Sequence, residues 1–227
     1  MCGRFALHSP LATLLEQFEA SAAGVAWEPR YNVAPTQPVA AVRVEAGERR
    51  VARLRWGLVP RWAREVGEGP LLINARAESA ASKPAFREAL RRRRCLVPAD
   101  GFYEWERSGR ARLPLLFSAP DGAPLAMAGI WERWSRPGAA PVESCAVLTT
   151  AASGVVAPLH DRMPALIPRA AFERWLDPGL RDPQAIADLL APPPDAALRA
   201  LPLEPWVNDV RHEGPRCLTE RLTLFGG

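Results

Sequence analysis

The chain has 227 residues, enough for one large domain or two small ones. Apolar residues make up 48% and charged residues 24%, the balance of a soluble globular protein. No window approaches the roughly 18 consecutive apolar residues of a membrane span. A net charge of +4 and a pI near 9.2 permit nucleic-acid binding without requiring it.

The N-terminus reads Met1-Cys2-Gly3-Arg4-Phe5. Arg4 and His8 interrupt any basic-then-apolar secretory pattern, so cytoplasmic residence is expected. Loss of Met1 gives Cys2 an α-amine and a thiol, with reference pKa values of about 7.7–8.0 and about 8.5. The amine condenses with an aldehyde to an imine, and the thiol then closes a five-membered thiazolidine ring. On position alone, Cys2 reads as readily as a small buried thiol near a chain end.

Ser9-Pro10 ahead of Leu11, Leu14, Leu15 and Phe18 predicts a helix over about 10–20, with Ser9 as N-cap and Pro10 at the first helical position. Strand-like runs come next at 39–44, 51–56, 71–74, 94–97, 102–106, 113–117, 125–133 and 145–150. A helix over about 82–92 interrupts them, with Phe86, Ala89 and Leu90 on one face. The run Arg91 to Arg94 reads as its solvated end, suited to the negative pole of the helix dipole, in preference to a DNA site. Further helices are expected near 169–177 and 183–190, the second with Asp182 as cap and Pro183 first. Pro192-Pro193-Pro194 is a stiff connector.

Many short strands and few helices predict an α+β fold on a curved, mainly antiparallel sheet or open barrel, with peripheral helices and one domain over 1–227. The 24 prolines, which cannot donate within a sheet, require ordered loops between the strands. Cys2, Cys95, Cys145 and Cys217 form no C-x-x-C pair, which argues against a zinc site and a disulfide scaffold; the last three read as reduced core or strand residues. Nearly all cations are arginine, whose planar fork grips phosphate bidentately.

Glu104 sits between Tyr103 and Trp105 in a strand-like run, so it faces away from both, on the side of Phe102 and Glu106. A carboxylate against aromatic surface has a raised pKa suited to acid–base work, although a half-exposed strand residue fits the same pattern. His160 precedes Asp161-Arg162 in an irregular stretch, a loop placement with a functional or a purely local reading. Asn74 ends an apolar run, where its amide can orient another group or cap the next segment.

The ordered segments MCGRF, YNVAPTQ, WGLVPRW, NARAES, KPAFR, RCLVPADGFYEW, AGIWERW, VLTTAA and HDRMPALI resemble the SRAP family, the SOS-response-associated peptidase-like or abasic-site processing proteins. Trp206-Val207-Asn208 is similar to the family's C-terminal segment, so the resemblance covers essentially the whole chain. It implies an SRAP fold and removal of Met1, by self-cleavage or by an aminopeptidase. It also implies capture by Cys2 of the open-chain aldehyde of an abasic site in single-stranded DNA, as a thiazolidine crosslink that protects the lesion. The family's catalytic Asn, Glu and His fall on Asn74, Glu104 and His160, and the division of acid and base steps between the last two stays open.

By the same resemblance Arg4, Arg76 and Arg162 contact phosphates, and Trp62, Trp105 and Pro35 serve as wedges or stacking surfaces. The two tryptophans read equally well as core. No cofactor or metal is implied, and a monomer is expected, nucleoid-associated when on DNA and not at a membrane. Two rivals remain. One is an N-terminal-cysteine amidotransferase or amidohydrolase, which also begins Met-Cys-Gly but usually continues with an apolar residue where this chain has Arg4. The other is a non-catalytic single-stranded-DNA-binding protein, against which Cys2, Asn74, Glu104 and His160 together argue.

Overall fold

The long alternating runs in the middle of the chain become strands of a closed barrel. In the computed structural model, which describes residues 2–22 and 24–221, β3 (Pro38–Glu45) and β4 (Glu48–Trp56) pair antiparallel, with Val42 opposite Val51. β3 continues to β6 (Arg94–Ala99), β6 to β9 (Leu125–Trp134), and β9 to β10 (Val142–Ala151), all antiparallel. β10 closes the ring by lying parallel to β4 through Ser144 and Cys145. Beyond that closure β10 carries two short strands, β5 (Asn74–Arg76) parallel and β11 (Arg162–Pro164) antiparallel. Thr149 pairs with both Arg76 and Pro164, so β5 and β11 flank one end of the same strand. That end brings residues near 74 and 160 together.

A second, antiparallel sheet has the order β12 (Arg199–Pro202), β8 (Ala111–Ser118), β7 (Gly101–Ser108), β1 (Phe5–Leu7) and β2 (Arg30–Val33). Its strands alternate between two cores. Phe5, Phe102 and Phe117 join the large core with Trp56, Leu96 and Met127, whereas Ala6, Tyr103 and Leu116 pack with Leu203, Val207 and Cys217 on the other face. The chain from Leu203 to Cys217 therefore covers the outer side of this sheet. Phe5 meets Trp56 edge-on at 5.2 Å, and its complete burial contributes about 1.5–3 kcal/mol. This anchor fixes the chain just after Cys2.

The α+β architecture and the long strands agree with the expectations, and Asp182 does cap its helix, accepting from the Gln184 amide at 3.0 Å. Several local expectations need correction. α1 spans Leu11–Phe18 with Pro10 as its N-cap; Ser9 instead gives its hydroxyl and amide to Asp100 at 2.6 and 2.8 Å. The expected strand over 71–74 is displaced to β5, because Leu72 makes only an isolated bridge to Leu58. The expected helix over 82–92 shortens to α3 (Arg87–Arg92), preceded by a one-turn α2 (Ala77–Ala80). Near 169–177 a 3-10 turn leads into α4 (Phe172–Leu176), and 183–190 is a 3-10 helix.

The arginine run is not one solvated surface. Arg94 opens β6, is 5% exposed, and donates to the carbonyls of Trp175 at 2.6 Å, Leu90 at 2.8 Å and Asp177. Arg93 pairs with the buried Glu132 at 2.8 Å. Cys95 and Cys145 are buried free thiols in β6 and β10, and Cys217 is buried in a 3-10 turn.

Candidate functional site

The segment entering β1 lies against the end of β10 that carries β5. Asn74, paired in register with Val147, donates from Nδ2 to the Cys2 carbonyl at 2.7 Å. Asn74 Oδ1 is buried and has no hydrogen-bond partner among the described residues. Cys2 is fully buried; that burial and the charge of Glu104 push its thiol up to about 12. Met1, the residue bonded to the Cys2 nitrogen, lies outside the described residues.

Glu104 reaches the same place from the second sheet. β1 pairs with β7 only through Phe5–Phe102 and Ala6–Gly101, and one further bond joins the Tyr103 amide to the Arg4 carbonyl. Beyond Tyr103 this edge of β7 is uncovered by β1, and Glu104 stands at its start. It is 7% exposed, and burial raises its pKa against the lowering pull of His160. A carboxyl so placed holds a proton at higher pH than an ordinary glutamate.

His160 comes from the loop between β10 and β11. The His160 amide bonds back to the Val156 carbonyl at 3.1 Å, and Asp161 accepts from the Ala152 amide at 3.0 Å. Gly154 is part of what holds this loop: its φ is +51°, and a Cβ there would stand 2.5 Å from the Asp195 carbonyl oxygen. The Arg162 amide donates to His160 Nδ1 at 2.9 Å, while Asp161 Oδ1 lies 2.8 Å from the same nitrogen. These contacts require opposite protonation of Nδ1. The backbone donor is fixed whereas Asp161 is 77% exposed, so the neutral ring carries its proton on Nε2.

Gly3, Arg4, Glu104, Trp105 and His160 line one open cleft of about 820 Å³. Arg4 is held at its rim: Nη1 donates to Asn32 Oδ1 at 2.6 Å and to the Val207 carbonyl at 3.1 Å, and the guanidinium lies 5.6 Å from the Trp105 ring centre. Asn32 is the hub. Fully buried, it donates to the carbonyls of Asp209 and His212, each at 2.9 Å, tying β2 to the C-terminal segment. Asn32→Ala strips these carbonyls and Arg4 of their partner, an expected loss of about 2–3 kcal/mol. Urea unfolding checks this as a lowered midpoint at unchanged slope.

The other candidates are distributed unevenly. Arg76 is exposed on the same short strand as Asn74. Arg162 is engaged internally: its guanidinium forks onto Glu78 at 2.7 and 2.8 Å and donates to the Thr149 carbonyl, holding α2 against the loop of His160. This pairing keeps the Glu78 carboxyl below the usual carboxylate range. Trp62 is 64% exposed, and Pro35 lies in a turn where Thr36 has a φ of +73°; neither lines the cleft. Trp105 is half-buried, its Nε1 donating to Asn208 Oδ1 at 2.6 Å. Among the described residues no group of three His, Cys, Asp or Glu side chains is placed to hold a metal ion.

Arg107 and Arg112 also line the cleft, and sequence reading passed over them. The signal was present in Ser108-Gly109-Arg110: a two-residue hairpin loop there sets Arg107 opposite Arg112.

Barrel, sheet and cleft together define a protein that holds a near-terminal cysteine beside a buried carboxyl, a histidine and an amide. Residues 1–210 match the model of SRAP, SOS response associated peptidase, and the chain belongs to that family. "Abasic site processing protein YoqW" of Bacillus subtilis (strain 168) is 34% identical over 221 residues, 96% of this chain and 99% of its own length. "Abasic site processing protein HMCES" of Gallus gallus is 31% identical over 224 residues, 85% of this chain and 66% of its own. A solved structure from Bacteroides thetaiotaomicron shares the fold with a TM-score of 0.87 at 24% identity, over 97% of this chain and 100% of that one. A second, from Bordetella bronchiseptica, has a TM-score of 0.77 at 26% identity, over 89% and 100%.

Proposed function

We propose that this chain processes abasic sites in single-stranded DNA, trapping the open-chain aldehyde as a thiazolidine on Cys2 once Met1 has been removed. The observation that carries the reading is the convergence on Cys2: Asn74 grips its carbonyl at 2.7 Å, while Glu104 and His160 line the adjoining cleft. The names of the relatives supply the substrate class.

Hydrolysis of the Met1–Cys2 amide consumes one water and frees the Cys2 amine. An acid–base group moves the anomeric hydroxyl proton of the closed sugar to the ring oxygen, which opens the aldehyde. The amine lone pair attacks the carbonyl carbon, and the carbonyl oxygen leaves as water to give an imine. The thiol sulfur then adds to that carbon, its proton passing by way of a base to the nitrogen. Glu104, with its raised pKa, suits the proton transfers at sulfur, and Asn74 Oδ1 is an acceptor available to the new amine.

In this reading Arg4 and Arg76 bind phosphates, and Trp62, Trp105 and Pro35 offer stacking or wedging surfaces. Arg162 acts as a positioning residue through Glu78. Intact-mass measurement tests the proposal. The purified protein is expected to lack one methionine residue and, mixed with an abasic oligonucleotide, to give a heat-stable species of the summed mass less one water. A mature protein whose mass is unchanged by that oligonucleotide rules the reading out.

A further inference from the structure

The hairpin of β7 and β8 extends past the proposed reaction site and carries an arrangement with no internal purpose. Gly109 has a φ of +58° at the first position of the two-residue loop Gly109-Arg110, the geometry of a II′ turn that locks register. Arg107 is thereby directly opposite Arg112, and opposed residues share one face of the ribbon. Like charges in this relation destabilise a hairpin. Both residues are exposed, and among the described residues neither makes an ion pair with a carboxylate. Elsewhere the chain pairs arginines freely: Arg43 holds Glu45 and Glu143, Arg162 holds Glu78 and Arg174 holds Asp188.

The backbone beneath this pair is fixed. Asn208 donates to the Arg112 carbonyl at 3.0 Å and accepts from Trp105 at 2.6 Å, so the ribbon is tied to the C-terminal segment while its two guanidiniums stay open. Both line the cleft that contains Arg4, Glu104 and His160. Arg107 lies three positions along the strand from Glu104, about 10 Å.

We infer that Arg107 and Arg112 form a second phosphate subsite, gripping the DNA backbone on one side of the lesion, away from the reacting sugar. An anion between the two forks offsets their repulsion, and a phosphodiester matches guanidinium geometry. The subsite rests on the proposed DNA substrate and adds to it a direction in which the strand leaves the cleft.

The test uses oligonucleotides with a tetrahydrofuran abasic analogue, which cannot open to an aldehyde and therefore reports binding alone. A short one has about one nucleotide on each side of the site; two others are extended on the 5′ or the 3′ side to about eight, within the span of single-strand binding sites. Fluorescence anisotropy compares wild type, R107Q/R112Q and R107K/R112K over a range of salt. For one of the two extensions, the long-to-short affinity ratio is expected to fall about tenfold in R107Q/R112Q. The salt slope on that oligonucleotide should be shallower by about 0.7–1.4. The lysine variant should keep the wild-type slope, because its charges remain. A ratio and slope in R107Q/R112Q equal to wild type for both extensions overturn the subsite, as does a salt slope in the lysine variant as shallow as that of R107Q/R112Q. Crosslinking of wild type to an aldehyde-bearing oligonucleotide is scored separately, so failure of the covalent reading stays distinct from failure of the subsite.

Discussion

Cys2→Ala is expected to abolish the heat-stable adduct with abasic single-stranded DNA, a fall of at least about 100-fold, yet to leave an adduct that appears when borohydride is added. The physical reason lies in the order of the two bond-forming steps. With its thiol pushed up to about 12 by burial and by Glu104, Cys2 presents a protonated sulfur at neutral pH. The free amine, with a reference pKa of about 7.7–8.0, is the better nucleophile for the aldehyde. Once Met1 is off, alanine keeps that amine, so the imine still forms, and borohydride reduces it to a stable secondary amine. Without sulfur there is no ring, and water reverses the imine. Denaturing gels with and without borohydride measure both halves. A heat-stable band from Cys2→Ala without reductant would sink the mechanism. In a variant whose intact mass shows Met1 to be gone, a lack of any reducible adduct would show that the amine is not the first nucleophile.

Much of the barrel could be read from the chain, and the parts that could not share a cause. β3, β4, β9 and β10 are eight to ten residues long and carry their own apolar patterns. β1, β5 and β11 have three residues each, too few for any period, and they exist because a neighbouring strand already stands there. Leu71-Leu72-Ile73 looked like a strand locally. Apart from the lone bridge of Leu72 to Leu58, its pairing begins at Asn74, where β10 runs parallel, and no local signal marks a parallel partner. Arg94 looked solvated because it sits among arginines; four carbonyls from distant or preceding turns make its burial possible.

The site divides in the same way. The alternation in β7 placed Glu104 opposite Tyr103 and Trp105, as found. That residues 2, 74, 104 and 160 meet could not come from periodicity; it came from the ordered motifs of the family. The resemblance in turn did not show that Arg162 would be held by Glu78, because that contact joins two segments 84 residues apart.

Glu104→Gln is expected to slow crosslinking by about 10²–10⁴-fold while making the folded protein more stable above the ordinary carboxylate range. Both effects arise from one placement. Glu104 is 7% exposed and its pKa is raised by burial, so the folded state holds this proton more tightly than the unfolded chain. Between the unfolded value, about 4.3, and the raised folded value, the native state binds more protons, and stability falls as pH rises. The contribution is fully present below the unfolded pKa and lost as pH passes the folded one. Glutamine keeps the shape and never ionises, so its thermal midpoint should exceed that of wild type at neutral pH and converge with it in acid. The same replacement removes a charge that raises the Cys2 pKa, so thiol alkylation should begin at lower pH. Rate is lost because an amide cannot take the thiol proton or return it to nitrogen. Melting curves and crosslinking rates across pH separate the outcomes. A variant that is slower but shows no pH-dependent gain in stability would mean that the carboxyl is not strained by burial. One that is more stable and equally fast would remove Glu104 from the proton path and leave that work to His160.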